Sequence, residues 1–140
     1  MNTPVYDFLI NYAQQDPVRL HMPGHKGRFG APALQKATAL DITEITGADS
    51  LFEASGILAE SEKNASSLYG TAYTFYSCGG STLCIQTMLL MMKQQGRRVL
   101  AARNVHRAFL NTCVLLDLPV QWIYPRESDG ILSGTYDLAD

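Results

Sequence analysis

The sequence is short of several things, and each shortage removes a class of function. Positive charge is not in excess: eleven Lys and Arg stand against thirteen Asp and Glu, a formal charge of -2. Nothing therefore drives binding to a phosphate backbone, and no nucleic-acid partner is expected. Long apolar runs are missing too. The longest, Leu83 to Met92, is interrupted by Gln86 and Thr87 and falls well short of the roughly 20 residues a membrane-spanning helix needs, so no membrane partner is expected. The start, MNTPVYDFLI, has no basic stretch before its apolar residues and carries Asp7 among them, which argues against a secretory signal and for a cytoplasmic location. Cysteine is sparse: Cys78, Cys84 and Cys113 show no CxxC spacing and leave one thiol over in any pairing, so reduced, small core residues are expected.

What remains is an ordinary globular composition, 46% hydrophobic and 17% charged over 140 residues, enough to bury one core. Thr3-Pro4 is a helix start, with threonine as cap and proline in the first turn. Val5, Phe8, Leu9 and Tyr12 then recur at helical spacing, which predicts an amphipathic helix over 4–15 ended by Asp16-Pro17. From Arg19 to Ser55, periodicity fades and glycines and prolines punctuate the chain, predicting a long ordered loop region with one short helix near 33–39. A second long helix is expected over 56–69, stopped by Gly70. Ala72 to Ser77 is rich in β-branched and aromatic residues and reads as a strand running into Cys78-Gly79-Gly80. Ser81-Thr82 opens a helix to about 95, apolar on nearly all sides, that needs cover on several of them. A strand at 98–102, a helix at 105–116 capped by Asn104, and a strand at 120–124 complete an alternation that predicts an α/β fold with a mainly parallel sheet flanked by helices. Ser128-Asp129-Gly130 and Ser133-Gly134 are turn signals, and Tyr136 to Asp140 reads as the start of another helix.

Three segments carry polar groups suited to chemistry. Gly79-Gly80-Ser81-Thr82 sits where a strand enters a helix, and a helix N-terminus offers unpaired N–H groups, glycines admit an anion, and hydroxyls add donors. It matches neither GxxxxGK[ST] nor GxGxxG. A phosphate cradle, and a plain turn with Ser81 or Thr82 as cap, both fit it. His21, His25 and Lys26 lie in HMPGHKGRFG, residues 21–30, a loop that reads as a site wall or as an exposed basic loop. The two histidines are four apart, but Pro23-Gly24 prevents a helix and no third ligand is evident, so no metal is expected. His106, in Arg103-Asn104-Val105-His106-Arg107, falls beyond the carboxyl end of a strand, where parallel sheets gather ligands. There the helix dipole favours a neutral ring, suited to stacking on an aromatic ligand; hydrogen bonding at the helix end is the plainer role.

Taken in order, HMPGHKG, then DITEITGADSLFEASGILAESEKNASSLYG, then TFYSCGGST, then ARNVH resemble the N-terminal part of the bacterial ornithine/lysine/arginine decarboxylase family, over about Arg19 to Tyr124. The order and spacing of the motifs are more specific than any one of them. The family consists of fold-type-I enzymes that use pyridoxal 5'-phosphate (PLP). The resemblance implies that Gly80, Ser81 and Thr82 hold the cofactor phosphate and that His106 stacks on its ring as the catalytic residue. It also implies that HMPGHK, with His21, His25 and Lys26, is a loop near the active-site mouth with DITE as its companion. The chain departs from the family at Gly79, commonly Asn, and at His106-Arg107-Ala108, where the family commonly reads His-Lys-Ser, which removes a small hydroxyl from the site.

PLP chemistry needs a lysine amine and an acidic partner for the pyridinium nitrogen. In the family both lie in downstream segments, Asp-x-Ala-His and Ser-x-His-Lys, that do not occur here. Of Lys26, Lys36, Lys63 and Lys93, only Lys26 lies on a suspected site loop, and nothing nearby would desolvate it; Lys63 and Lys93 are expected in solvent. The resemblance thus implies two regions, 1–70 with the first helix, the HMPGHKG loop and the second helix, and 71–140 as the truncated start of the PLP-binding large domain. The strand at 72–77 would stand apart from the later two, and the apolar helix would lack part of its cover. The expected whole is a homodimeric decarboxylase of ornithine, lysine or arginine, of which this chain is the front portion or a degraded gene's product, inactive alone. The alternatives are a non-catalytic phosphate-ligand-binding or regulatory module, and a fragment of a fold-type-I aminotransferase.

Overall fold

Proline at the first helical position, where its missing N–H costs nothing, opens α1 (Pro4–Gln14). The computed structural model describes residues 2–125 and 134–136. Thr3 does precede the helix, but its hydroxyl caps no backbone N–H. It donates to Asp7 Oδ1 at 3.1 Å, a charge-assisted bond within the first turn. The chain forms two compact units, Met1–Tyr76 and Ser77–Asp140. The turn expected at Ser128-Asp129-Gly130 and the helix expected beyond Tyr136 fall outside the described residues.

In the first unit, a 3-10 turn at Pro32–Leu34 leads into α2 (Gln35–Leu40), and α3 (Ile57–Tyr69) ends at Gly70, whose φ of 66° is the left-handed cap glycine tolerates best. Helix α1 packs against both α2 and α3. No apolar side chain of this unit is fully buried among the described residues. Its buried residues are Arg19 and Gly27, so its interior is built around a guanidinium.

The expected strand at 72–77 does not form. Tyr76 instead donates its backbone N–H to Glu62 Oε1 at 2.9 Å, and its hydroxyl meets Ser61 Oγ at 2.8 Å, so the segment lies along α3. Strand propensity needs a partner strand to become a strand, and none of the described residues supplies one.

The second unit runs α4 (Gly80–Gln94), β1 (Val99–Ala102), α5 (Arg107–Leu115) and β2 (Val120–Ile123). The two strands are parallel, with Val99 opposite Val120 and Ala101 opposite Trp122. Its core is Leu89, Cys113 and Leu118, with Ile85, Val99, Phe109, Leu116 and Val120 packed against them. An α/β unit with a small parallel sheet is thus present. Cover of α4 is partial: Leu89 is 1% exposed, whereas Leu83, Met88, Leu90 and Met91 are all exposed. Of the cysteines only Cys113 belongs to a core; Cys78 and Cys84 are exposed, which corrects the reading of all three as core residues.

Candidate functional site

Helix α4 begins at Gly80, two residues before the expected start, and Gly79 occupies the cap position with no side-chain cap. Ser81 and Thr82 are therefore not caps but first-turn residues. The first helical bond runs from Leu83 N to Gly79 O at 3.4 Å, which leaves the preceding N–H groups without a helical acceptor. Both hydroxyls are exposed. Gly80 has φ of 64°, and a Cβ there would meet nothing within 4 Å, so space above the turn is open. At Gly79 the reverse holds: a Cβ would come within 2.6 Å of Leu83 Cβ. Leucine at 83 thus excludes the asparagine side chain common at that place in the family. Converging amides, two hydroxyls and the positive end of the helix dipole fit a phosphate dianion.

His106, not Asn104, caps α5. Its Nδ1 accepts from Ala108 N at 3.1 Å, and the helix starts one residue later than the histidine. The bond requires an unprotonated Nδ1, which places the proton of the neutral ring on Nε2 and fixes the ring's orientation. Ala108, at the place of the family's serine, is buried, so its methyl group belongs to the core rather than to any ligand. Arg103, at the end of β1, has its guanidinium 5.1 Å from the Trp122 ring centre and 5.9 Å from that of Tyr124. A turn at Gly96, with φ of 64°, joins α4 to β1.

In the first unit the HMPGHKG loop is knotted onto itself and onto the DITE segment. His25 accepts from Gly27 N at Nδ1 (3.0 Å) and donates from Nε2 to Asp41 Oδ2 (3.1 Å). His21 donates from Nδ1 to Met22 O, so its Nε2 accepts from the Tyr12 hydroxyl at 2.7 Å. Both rings are thus fully engaged, and their partners are distinct. Lys26 is exposed and donates to His21 O. His25 meeting Asp41 joins HMPGHK to DITE, the pairing the resemblance implies.

Among the other lysines, Lys36 and Lys63 are exposed. Lys93 is exposed but not free, since Nζ donates to Leu116 O at the C-terminal end of α5. It sits near the last turn of α4, at the opposite end of that helix from Gly80. No lysine of the second unit therefore reaches the phosphate-like cradle.

Two structural residues carry no motif that marks them in advance. Asp49 accepts from Ser50 N, Ser55 N, Gly56 N and Leu58 N at 2.8–3.3 Å and so caps α3 through its carboxylate. These bonds, Ser55's foremost, hold its pKa far below the usual carboxylate range against the opposing effect of desolvation. Arg19 is the other. Its Nη1 donates to Asp41 O (3.3 Å) and Thr38 O (3.5 Å), its Nη2 to Ala39 O (2.6 Å), and it stacks 4.9 Å from the Tyr12 ring centre.

A parallel strand pair with helices beside it, one helix starting at Gly80 without a side-chain cap and the other capped by His106, defines an α/β unit. Comparison with known proteins narrows this. The family described as "Orn/Lys/Arg decarboxylase, major domain" matches residues 3–137. An arginine decarboxylase of Halalkalibacterium halodurans is 30% identical over 136 residues, covering 93% of this chain and 28% of that protein. An arginine decarboxylase of Bacillus cereus is 27% identical over 129 residues, 88% of this chain and 28% of that one. The lysine decarboxylase LdcA of Pseudomonas aeruginosa is 22% identical over 152 residues, 98% of this chain and 20% of that one. No solved structure matches the chain. The chain belongs to the Orn/Lys/Arg decarboxylase family, and it spans about a quarter of the length of the curated relatives it matches.

Proposed function

We propose that this chain is the cofactor-phosphate portion of a PLP-dependent, fold-type-I decarboxylase of a basic amino acid, with arginine, lysine or ornithine as the substrate class. In the whole protein, residues 71–140 begin the PLP-binding large domain and 1–70 precede it. The observation that carries the reading is the start of α4, where Gly80, Ser81 and Thr82 present donors that no side-chain cap occupies; the His106 ring, held by Ala108 N, supports it. Ser81 and Thr82 receive the phosphate through backbone N–H and hydroxyl groups. Gly80 keeps the approach open. His106 would contribute the ring that stacks on the cofactor, its Nδ1 remaining bound to Ala108 N, so stacking and capping would use different parts of one side chain. When bound, PLP supplies the electron sink for the pair left behind as carboxylate departs as carbon dioxide. His21, His25 and Lys26 belong to the mouth-side loop, and the complete protein works as a homodimer in the cytoplasm.

Turnover by this chain alone is not expected. Lys93 is tied to Leu116 O at the far end of α4, and the family's lysine segment does not occur in the sequence. That same observation favours a second reading, a non-catalytic module that binds a phosphorylated ligand. The test is titration of the 15N-labelled chain with PLP and, separately, with inorganic phosphate. The amides of Ser81 and Thr82 should shift with both, and the His106 ring with PLP alone; shifts with both ligands at Ser81 and Thr82 but none at His106 select the module. Ser81→Ala combined with Thr82→Ala should weaken PLP binding by roughly tenfold or more, since each charge-assisted bond contributes on the order of 1.5–3 kcal/mol. Absence of any shift at residues 80–82 up to millimolar ligand sinks both readings.

A further inference from the structure

The HMPGHKG loop is the motif whose construction the cofactor reading leaves unexplained, and its last residue, Gly27, lies against one buried group. Arg19 is 9% exposed and sits where an apolar residue would be expected. Its planar fork collects carbonyls from Thr38 and Ala39, in the last turn of α2, and from Asp41, the first residue of DITE. One face lies on Tyr12 of α1. Gly27, the last residue of HMPGHKG, lies against the guanidinium so closely that a Cβ would fall 2.5 Å from its Cζ, and with φ of 77°. Three separate stretches of chain, α1, the loop and the α2–DITE junction, therefore meet on one side chain.

We infer that Arg19 is the positioning residue of the HMPGHKG loop: by seating Gly27 and holding the Asp41 carbonyl, it sets the geometry in which His25 bridges Gly27 N and the Asp41 carboxylate. His25 has two partners, Gly27 N at Nδ1 and Asp41 Oδ2 at Nε2. Arg19 touches both of those residues, through the Asp41 carbonyl and against the Cα of Gly27, whose carbonyl also accepts from Gln35 Nε2 at 3.0 Å. A lysine cannot substitute, because a single ammonium group offers neither the planar stack on Tyr12 nor a fork that spans three carbonyls. The consequence for activity rests on the reading of residues 21–30 as the mouth of the site. The positioning itself does not.

The test reads the imidazole nitrogens of the 15N-labelled full chain at alkaline pH, where an unconstrained histidine ring is neutral and averages its tautomers. The chain has three histidines, and His106 serves as the internal control. In the wild type, His25 should show two well-separated ring nitrogens, Nδ1 as acceptor and Nε2 as donor, and Arg19 should show resolved Nη protons. In Arg19→Lys, and independently in Gly27→Ala, which keeps the guanidinium and displaces it, the His25 separation should be lost. Exchange of the Gly27 amide should then quicken on the order of tenfold, while His106 is unchanged. Retention of the His25 separation in either folded variant overturns the inference. If neither variant folds, the wild type decides: Arg19 Nη protons averaged with those of the other arginines overturn it, and resolved, slowly exchanging ones uphold it. Failure here would leave the PLP shifts at Ser81 and Thr82 untouched, so the two readings fall separately.

Discussion

At Asp49 one carboxylate accepts from four backbone N–H groups and closes the N-terminus of α3. Its folded-state pKa is depressed below the ordinary value of 3.8, with the Ser55 N–H bond as the leading cause. A depressed carboxylate contributes stability that is present above its unfolded value and lost as pH falls through and below it. Asp49→Asn should therefore lower the melting temperature at neutral pH, and the gap from wild type should close as pH drops below about 4; a gap that persists at acid pH would contradict this origin. His106 allows a second separation of roles. Asparagine caps well and alanine does not, so His106→Asn should hold stability within about 0.5 kcal/mol, while His106→Ala should cost about 1 kcal/mol in a thermal melt. Both should weaken PLP binding, because neither offers a ring to stack. Asp49 was not readable beforehand, and for His106 the sequence offered hydrogen bonding at the helix end but not the cap position itself. A cap is recognised by the distance to a particular N–H, and the sequence suggested Asn104 for that role on residue type alone.

At the scale of elements, periodicity was a dependable guide wherever an element makes its own hydrogen bonds. Helix α1 was expected over 4–15 and spans Pro4–Gln14; α3 was expected over 56–69 and spans Ile57–Tyr69. Strands at 98–102 and 120–124 were each found shorter, as Val99–Ala102 and Val120–Ile123. The expectation at 72–77 failed because a strand's bonds are made by its neighbour, and here Glu62 and Ser61 on α3 supply the partners instead. In α4 the apolar composition overstated the burial: only Leu89 is fully enclosed. Leu89→Ala should therefore cost about 2–5 kcal/mol in denaturant unfolding. Leu90→Gln, on an exposed position of the same helix, should stay within about 0.5 kcal/mol of wild type. Equal losses at the two positions would show that α4 is covered on the side of Leu90 as well.

At the scale of the molecule, the second unit buries one face of its strand pair under α4 and α5 and leaves the other open, with Leu100 58% exposed. Parallel strands are normally covered on both faces and paired at their edges. Leu100→Lys should therefore leave the melting temperature nearly unchanged and reduce concentration-dependent association in sedimentation; unchanged association would place the sticky surface elsewhere.

What the residues determined by themselves is local or cumulative: helix positions from apolar spacing, the α/β alternation, and kinship with the decarboxylases from motifs in a set order, which the match over residues 3–137 establishes. Tertiary structure alone decided that Ser81 and Thr82 are donors and not caps, that His106 is a cap, and that Arg19, a charge with no motif around its role, stands at the centre of the first unit. The physical reason is common to all three. Each depends on which acceptor lies within about 3 Å of a given polar atom, and across Arg19 those acceptors lie 19 to 22 residues away along the chain, a distance over which side-chain periodicity carries no information.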